Sequence, residues 1–251
     1  MNGVEVFYEH LGLPEASRLN KRIFKKTLRE HGQLTSADKK TLSEDVSRLT
    51  WKYTLKASTV QVLPYEDTER EYLEVAIIEV ALSSRKRAPR IHEMIHRAIP
   101  YPVLLVLAEG DDFCVSVAHK RFSRAEKGSI VAEAVLASPW IEQPLADLDR
   151  ALCHALALKH LSQVDFYALY GGMVNAVLAR SCAVLTGSFV LDAGHPQEDR
   201  RRRLEHCHEL RREISGHRAA IHEANQFAER VELNTRIKEL EAGLARAKAD
   251  L

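Results

Sequence analysis

The chain has 251 residues, of which 45% are hydrophobic and 28% are charged. That length is enough for a sizeable core, and that composition excludes a wholly disordered protein. The 36 Lys and Arg residues nearly balance the 35 Asp and Glu residues, which leaves a net charge of +1. The overall charge therefore gives no attraction to nucleic acid or to a membrane surface, and any such attraction must come from local clusters.

Cysteine usage and the apolar runs indicate a cytoplasmic protein. Cys114, Cys153, Cys182 and Cys207 are far apart and form no Cys-x-x-Cys pair. This spacing excludes a zinc ribbon or finger and favours reduced thiols over a disulfide framework. Residues 1–13 carry acidic residues and do not have the pattern of a signal peptide. No run approaches the roughly 18 apolar residues of a transmembrane helix, so we expect a cytoplasmic protein without membrane contact.

The N-terminal part predicts a helical hairpin. Apolar residues at helical spacing predict one helix over residues 15–31, ended by Gly32, and Thr35 or Ser36 can cap a second helix. The apolar face predicted for this second helix consists of Leu42, Val46 and Leu49. Two helices joined in this way have the shape of a DNA-binding helix-turn-helix. We favour an ordinary helical hairpin packed on the domain, because such hairpins are far commoner.

The central part predicts a sheet. Residues 71–82 (EYLEVAIIEVAL) are dense in β-branched residues and predict one strand. Residues 103–108 (VLLVLA) predict a second, buried strand, and residues 113–118 return as its hairpin partner. A short helix is predicted over residues 91–98, because two prolines follow it. Residues 130–136 fit either a strand or a helix.

After Pro144 strand signals largely vanish. Residues 145–162 predict an amphipathic helix, residues 165–186 predict a more apolar one, and residues 188–196 read as a linker. From Glu198 onward the chain is charged and predicted to be helical to its end.

The last part of the chain carries a short heptad repeat. Apolar residues there alternate steps of four and three, the a/d pattern of a coiled coil. These residues are Leu233, Ile237, Leu240, Leu244, Ala247 and Leu251. The pattern covers little more than two heptads. We therefore expect this helix to close on the chain's own helices or to join a helix of a partner.

Together these elements predict an α+β fold. It has a small mixed sheet with flanking helices, preceded by a helical hairpin and followed by an α-helical region with a short C-terminal coiled coil. The predicted domains are an α/β domain over residues 1–143, a helical hairpin over residues 144–190 and a charged helical tail over residues 191–251.

One motif suggests zinc chemistry. His92, Glu93 and His96 match H-E-x-x-H, which puts two imidazoles on one helix face with a glutamate placed to activate a zinc-bound water. We interpret the match as accidental, because the chain holds 12 histidines and the helix is cut short by prolines. The available third ligands, His119 and Glu133, have no diagnostic spacing. A zinc hydrolase through His92 and His96 stays as an alternative, and we expect no metal and no cofactor.

Two basic clusters could meet at one edge of the sheet. The first is Arg85, Lys86, Arg87, Arg90 and Arg97, and the second is Lys120, Arg121, Arg124 and Lys127. A phosphate backbone would be a natural ligand for such an edge, whereas the alternative is a solvated loop balanced by nearby acids. A third basic run, over residues 200–203, is interleaved with acids, and we interpret it as a solvated helix surface.

The acidic pairs do not complete a nuclease motif. Glu74 with Glu79, or Asp111 with Asp112, could supply carboxylates to a metal. A nuclease of the common restriction type also needs a lysine close to the carboxylate on one strand. The nearest lysine after Glu79 is Lys86, which is too far along the chain.

Several stretches of the chain resemble the bacterial domain-of-unknown-function family 4391. They are LNKRIFKKTLREHGQLTSADKKTLSEDVSRLTWKYTLKAST, YEDTEREYLEVAIIEVAL, IHRAIPYPVLLVLAEGD, SVAHKRFSRAEKG and FAERVELNTRIKELEAGL. The most specific parts are residues 95–102 and 118–122, and the likeness spans most of residues 10–250. In the family we expect the position of His92 to be commonly non-histidine, while His96 belongs to the shared block.

The resemblance implies no assigned activity. Genes of this family often lie near helicases and DNA methyltransferases in bacterial defence clusters, which implies a DNA-linked accessory role. We therefore expect a non-catalytic accessory or adaptor protein that docks a helicase or methyltransferase and contacts nucleic acid. The alternative is a metal-dependent hydrolase, either an atypical nuclease or a zinc hydrolase. A third interpretation is an oligomer held by the tail.

The residues on which this expectation depends fall into two sets. The candidates for phosphate or ligand contact are Arg85, Lys86, Arg87, His96, Arg97, Lys120 and Arg121. The candidates for a partner helix are Leu233, Ile237, Leu240 and Leu244.

Overall fold

The computed structural model describes residues 2–126, 128–192, 194–224 and 226–251, apart from the side chain of His31. The chain divides into two compact units, with the division between Arg180 and Ser181. The boundary predicted at residues 143–144 lies inside the first unit, and the boundary predicted at residues 190–191 lies shortly after the division.

The first unit contains both helices and strands, whereas the elements of the second unit are helical in its described residues. The helices are α1 (Gly3–Leu11), α2 (Lys25–His31), α3 (Ser36–Glu44), α4 (Ala57–Val60), α5 (Ala88–Ala98), α6 (Asp147–Leu156), α7 (Phe166–Thr186), α8 (Gln197–Glu223) and α9 (Phe227–Ala249). The strands are β1 (Arg18–Ile23), β2 (Val46–Lys56), β3 (Tyr65–Glu66), β4 (Glu71–Tyr72), β5 (Glu74–Leu82), β6 (Val103–Glu109), β7 (Asp112–Val117), β8 (Lys120–Phe122), β9 (Ile130–Ala132) and β10 (Leu136–Ala137).

A six-stranded mixed sheet is the centre of the first unit. Its strand order is β1-β2-β5-β6-β7-β10, and two small sheets pair β3 with β4 and β8 with β9. Only β5 and β6 run parallel among the named pairs of the described chain, because α5 carries the chain from the end of one to the start of the other. The predicted α+β class with a mixed sheet and flanking helices is confirmed.

Both faces of the sheet are covered by helices. On one face, Ile91 and Ile95 of α5 pack with Ile78 of β5 and Leu105 of β6 in a single buried cluster. The opposite face holds α1, whose Phe7 ring lies 4.9 Å from the ring of Phe113 on β7. This double coverage explains why β5 and β6 consist almost wholly of apolar residues rather than alternating ones.

The central predictions agree with the structure. The strand predicted over residues 71–82 is β4 and β5, the strand over residues 103–108 is β6, and its hairpin partner is β7. The open segment, residues 130–136, is extended and contributes β9 and the start of β10. The short helix α5 begins at Ala88, before the predicted start, with a proline in its first turn.

The helix predicted over residues 15–31 is wrong in its first part. Glu15–Ser17 form a short 3-10 turn, Arg18–Ile23 form the edge strand β1, which pairs antiparallel with β2, and only Lys25–His31 are α-helical. Asn20 adopts a φ of 47°, which an α-helix does not allow. The apolar spacing imitated a helix, but pairing with β2 decided the backbone. The predicted helical hairpin is therefore reduced to the short helices α2 and α3 that follow an edge strand.

The second predicted helix begins where its cap predicts and ends early. Thr35 Oγ1 accepts a hydrogen bond from the Asp38 amide at 3.2 Å, and the Asp38 carboxylate accepts one from the Thr35 amide at 3.0 Å. This capping box fixes the start of α3. The helix ends at Glu44, so Val46 and Leu49 lie in β2 and the apolar face predicted for them in a helix is wrong.

The second unit contains an antiparallel pair of helices, α8 and α9. Arg200 near the start of α8 donates to the carbonyl oxygen of Leu251 at 3.0 Å, and Arg218 pairs with Glu241 at 2.6 Å. The seam between the two helices is formed by Leu210, Ile214, Ile221, Ile237, Leu240 and Leu244. The terminal heptads thus close on the chain's own helix, which is one of the two arrangements that their shortness predicts.

Helix α7 was expected from its apolar sequence and spans Phe166–Thr186 as predicted. It is the one helix of the described chain that is long and apolar enough to cross a membrane by length and composition, with a mean hydropathy of 1.4. Of that stretch, 67% is buried within the protein. A core helix meets the same criterion, so this is weak evidence for a membrane span.

Candidate functional site

The two histidines of the zinc-like motif lie in the core and share one hydroxyl group. Both project from α5 toward β7, where the Ser116 Oγ lies 2.7 Å from His92 Nδ1 and 2.9 Å from His96 Nε2. A serine hydroxyl can donate one hydrogen bond and accept two, so at least one of the two imidazoles donates to it. Cys114 Sγ lies 3.5 Å from His92 Nε2. This network fastens α5 to the sheet.

Burial keeps both imidazoles neutral. Loss of solvent lowers the pKa of His92 to about 4. The pKa of His96 is well below its ordinary value, first because the ring is wholly buried and then because the Lys120 charge lies near it. His96 Nδ1 has no hydrogen-bond partner among the described residues. Buried, neutral imidazoles that share one hydroxyl group are typical of a structural network rather than of a pH-responsive surface.

Glu93 does not complete a zinc site. Its side chain is exposed, whereas His92 and His96 on either side are buried. The carboxylate therefore points away from the place where it could activate a water held by the two imidazoles. Within the described ranges, no group of three or more His, Cys, Asp and Glu side chains is gathered as metal ligands would be.

Lys120, predicted to contact phosphate, is buried instead. It is 2% exposed, and its ammonium group donates to the carbonyl oxygen of His96 and, at 2.8 Å, to that of Ile99. These carbonyls end α5, so Lys120 satisfies the last turn of that helix. Burial lowers the pKa of Lys120 to about 7. His96 and Lys120 therefore belong to the core and not to a surface that a ligand could reach.

Arg85 and Arg87 of the first predicted basic cluster are neutralised by carboxylates of the protein itself. Arg85 pairs with Glu109 at 3.0 Å and with Asp112 at 3.5 Å. Arg87 forms a two-pronged pair with the buried carboxylate of Asp45, and its second prong is 2.7 Å long. Such bidentate pairs are strong and geometrically fixed. A phosphate would have to displace the carboxylates that already bind the guanidinium groups of Arg85 and Arg87.

The other predicted cations are also paired, with one exception. Arg97 and its neighbour Arg90 both bind Asp38, and Arg121 lies 4.0 Å from Glu133. Lys86 is exposed and has no carboxylate partner among the described residues. Lys127 lies outside the described residues. The predicted cations are therefore not brought together as a free basic surface.

The structure assembles a different basic surface on β1, α2 and β2. Arg22, Lys25 and Arg48 line a pocket of ≈ 290 Å³ together with Phe24. Arg22 lies at the end of β1, Lys25 begins α2, and Arg48 comes from the adjacent strand β2. We call this group of three cations the basic edge. Pairing of Ile23 with Leu49 across the two strands brings Arg48 beside the others.

The cations of the basic edge have no ion pair to a carboxylate among the described residues. The Lys25 ammonium donates to the carbonyl oxygen of Val46. The pKa of Lys25 is lowered, first by partial burial and then by the positive charges of Arg29 and Arg22. Of the cations that line the pocket, Lys26 alone has a carboxylate partner among the described residues, Glu30 at 3.7 Å, and the three cations of the basic edge have none.

Phe24 is an exposed aromatic ring amid these cations. Its side chain is 62% exposed, and the Arg22 guanidinium lies 5.6 Å from the ring centre. Sequence reasoning missed this surface, because the run LNKRIFKK was read as part of a helix. The signal was nevertheless in the sequence, since four cations lie around one phenylalanine within residues 19–26, which span most of β1 and the start of α2.

The acidic residues considered for a nuclease are not gathered. Glu74 and Glu79 are five positions apart along β5 and therefore point to opposite faces of the sheet. The Glu79 carboxylate lies 3.5 Å from the Lys52 ammonium of β2. The lysine that the one-strand pattern lacks is thus supplied by the neighbouring strand, but Glu79 is the one carboxylate that pairs with it in the part of the chain that the structure describes.

The residues proposed for a partner helix lie mostly inside the helical pair. Ile237 and Leu240 are buried against α8, and Leu233 and Leu244 are half-buried. The exposed apolar residues of α9 lie near its start, where Phe227 is 82% and Val231 is 48% exposed. These two are one helical turn apart and share a face.

Comparisons with known proteins give one match. The sequence profile of a family described as Domain of unknown function (DUF4391) matches residues 11–244, which is nearly the whole chain. No curated protein and no solved structure matches.

Proposed function

We propose that this chain, which belongs to the DUF4391 family, is a non-catalytic accessory protein. In this proposal it contacts nucleic acid through the basic edge. The observation that carries this proposal is the set of cations at that pocket, Arg22, Lys25 and Arg48, which lack a carboxylate partner among the described residues. Phosphate oxygens would supply the missing negative charge.

The protein partner in this proposal is a helicase or DNA methyltransferase of a cytoplasmic bacterial defence system. The resemblance to a family whose genes lie near such enzymes supports it. The exposed pair Phe227 and Val231 offers a place for a partner to dock, because exposed aromatic residues commonly anchor interfaces. Ile237 and Leu240 are less suitable, since they already stabilise the pair of α8 and α9.

The phosphate contact is tested by nucleic-acid binding across a salt series. The test variant R22Q/K25Q/R48Q removes three positive charges but keeps long polar side chains. A matched control, R124Q/R202Q/R236Q, removes three charges from exposed arginines that each pair with a nearby carboxylate. We expect the test variant to weaken binding and to reduce the slope of log affinity against log salt by about 2 to 3.

The control should leave the salt slope within error of the wild-type value. Equal losses in both variants would mean that only the net charge matters, and the basic edge would then have no special role. A further variant, R85A/K86A, addresses the surface favoured by sequence. We expect it to have little effect, because Arg85 is held by Glu109 and Asp112.

A further inference from the structure

The basic edge carries a feature that phosphate contact alone does not require. Lysine and arginine on an edge strand protect it from pairing with other chains. A largely exposed phenylalanine in the middle of them does not serve that purpose, because it adds apolar surface where the strand is most accessible. A ligand with both an apolar face and negative charge would match the exposed ring of Phe24 and the cations around it.

The position of Phe24 is fixed by its backbone. It is the residue that caps α2, between the end of β1 and the first helical turn. Its ring therefore projects from the short connection between β1 and α2. The ring and the three cations line the same pocket, whose ≈ 290 Å³ is at the lower end of the range for small-molecule sites.

We propose that this pocket takes one unpaired base of a single-stranded nucleic acid, stacked on Phe24, while Arg22, Lys25 and Arg48 hold the adjoining phosphates. This inference rests on the proposed nucleic-acid contact and names its substrate class. Stacking on an aromatic ring beside a cationic groove is how single strands are held without sequence preference. A base within a duplex has its faces covered by neighbouring bases and cannot use the ring.

The Arg22 guanidinium strengthens this assignment. It lies 5.6 Å from the centre of the Phe24 ring and has no carboxylate partner among the described residues. A planar cation next to a phenylalanine can stack on a base or bind its phosphate. Ser47 also lines the pocket, and its hydroxyl donates to the carbonyl oxygen of Ala81 at 2.8 Å, so it can only accept a hydrogen bond from a ligand. Single-stranded DNA and RNA share this chemistry.

The test compares four ligands of equal length and label by fluorescence anisotropy. They are an oligo-thymidine, an oligo-uridine, a DNA duplex and an abasic strand that keeps the phosphates and lacks the bases. The variants are Phe24→Ala, Phe24→Tyr and the triple charge variant R22Q/K25Q/R48Q. Folding of the Phe24 variants should be unaffected, because the side chain is mostly exposed.

We expect Phe24→Ala to weaken binding of the thymidine or uridine strand about 5- to 150-fold, the range for loss of one stacked base. Phe24→Tyr keeps an aromatic ring and should bind these strands as tightly as the wild type. Neither variant should change the affinity for the abasic strand or the slope of log affinity against log salt. The DNA and RNA strands distinguish the two sources of such a ligand, and stronger binding of either supports the proposal.

Two results would overturn the stacking proposal. Unchanged single-strand binding by Phe24→Ala would leave the phosphate contact in place without a stacked base. Equal loss on the abasic strand would show that the ring acts on the fold of the pocket rather than on a base. Absence of binding to all four ligands would instead refute the proposed function itself, and the stacking proposal with it.

Discussion

Replacement of His92 by glutamine tests the buried histidine network through the pH dependence of stability. In the folded protein the pKa of His92 is lowered to about 4 by burial, against an ordinary value of 6.5. A histidine with a depressed pKa stabilises the fold fully above its unfolded pKa, and that stabilisation is lost as the pH falls toward the folded pKa. Glutamine can still bond to Ser116 Oγ but does not titrate.

The magnitude follows from the two pKa values. Between about pH 7 and pH 5 the unfolded chain takes up a proton that the fold excludes, which lowers the free energy of unfolding by about 2 kcal/mol for His92 alone. His96 acts in the same direction, because its pKa is also lowered. The His92→Gln variant should therefore lose about 2 kcal/mol less than the wild type over this interval.

The assay is urea unfolding followed by tryptophan fluorescence at several pH values. Both tryptophans of the chain, Trp51 and Trp140, pack against the buried cluster that contains α5, so their emission reports the part of the fold that holds the network. Carboxylates titrate equally in both proteins and cancel in the comparison. His206→Gln, an exposed histidine of the second unit, is the matched control.

Two outcomes would refute this reasoning. If the wild type and His92→Gln lose the same free energy between pH 7 and pH 5, the imidazole of His92 is not held neutral in the core. If His206→Gln reduces the loss as much as His92→Gln does, the effect does not come from burial at Ser116.

Further predictions concern the core and the helical pair. Ser116→Ala should lower the free energy of unfolding by about 1–3 kcal/mol for each buried imidazole nitrogen left unpaired, and unchanged urea denaturation would contradict the network. Lys120 has a pKa lowered to about 7, so above that pH the unfolded lysine binds a proton that the folded one does not, and the contribution of Lys120 to stability rises with pH toward 10. Buried thiols such as those of Cys114 and Cys153, whose pKa is raised, act in the opposite direction in both proteins and cancel in the comparison. The free energy of unfolding of the wild type minus that of Lys120→Met should therefore rise over this interval, and a constant difference would contradict the burial of Lys120. Ile237→Asp should cost about 3–5 kcal/mol and lower the thermal transition of helical circular dichroism, whereas the exposed Phe227→Asp should leave it unchanged. Equal effects of the last two would mean that Ile237 is not in the seam.

Much of the fold could be predicted because local signals agree with it. The strands β5 and β6 are continuous apolar runs, which is what burial on both faces requires. The capping residues Thr35 and Asp38 mark the start of α3 at sequence level. The heptads of α9 correctly indicated a helix–helix seam, although their shortness left open whether the partner was internal.

The edge strand β1 could not be predicted from spacing alone. Leu19, Ile23, Phe24 and Leu28 fit a helical stripe, and nothing local distinguishes that stripe from an edge strand followed by a short helix. The hydrogen bonds between β1 and β2 decide the backbone conformation of this segment, and the β2 residues lie more than twenty positions away in the sequence. Because β1 was misread, the basic surface that it carries was missed as well.

The pairing of the predicted cations is likewise a tertiary property. Arg87 and Asp45 are forty-two positions apart, and Arg97 and Asp38 fifty-nine, so sequence could show the basic clusters but not the carboxylates that neutralise them. The burial of Lys120 against the end of α5 has the same origin. Sequence composition locates charges, and only the fold decides which of them remain available to a ligand.

Photo-crosslinking of the wild-type protein to a single-stranded oligonucleotide that carries iodouracil locates the nucleic-acid contact on the chain. The crosslinked site is mapped by digestion and mass spectrometry. We expect crosslinks to the peptide that contains Phe24, between Arg22 and Lys25. Crosslinks confined to residues 85–97 or 120–124, with none at Phe24, would contradict it and return the nucleic-acid contact to the surface that the sequence first indicated.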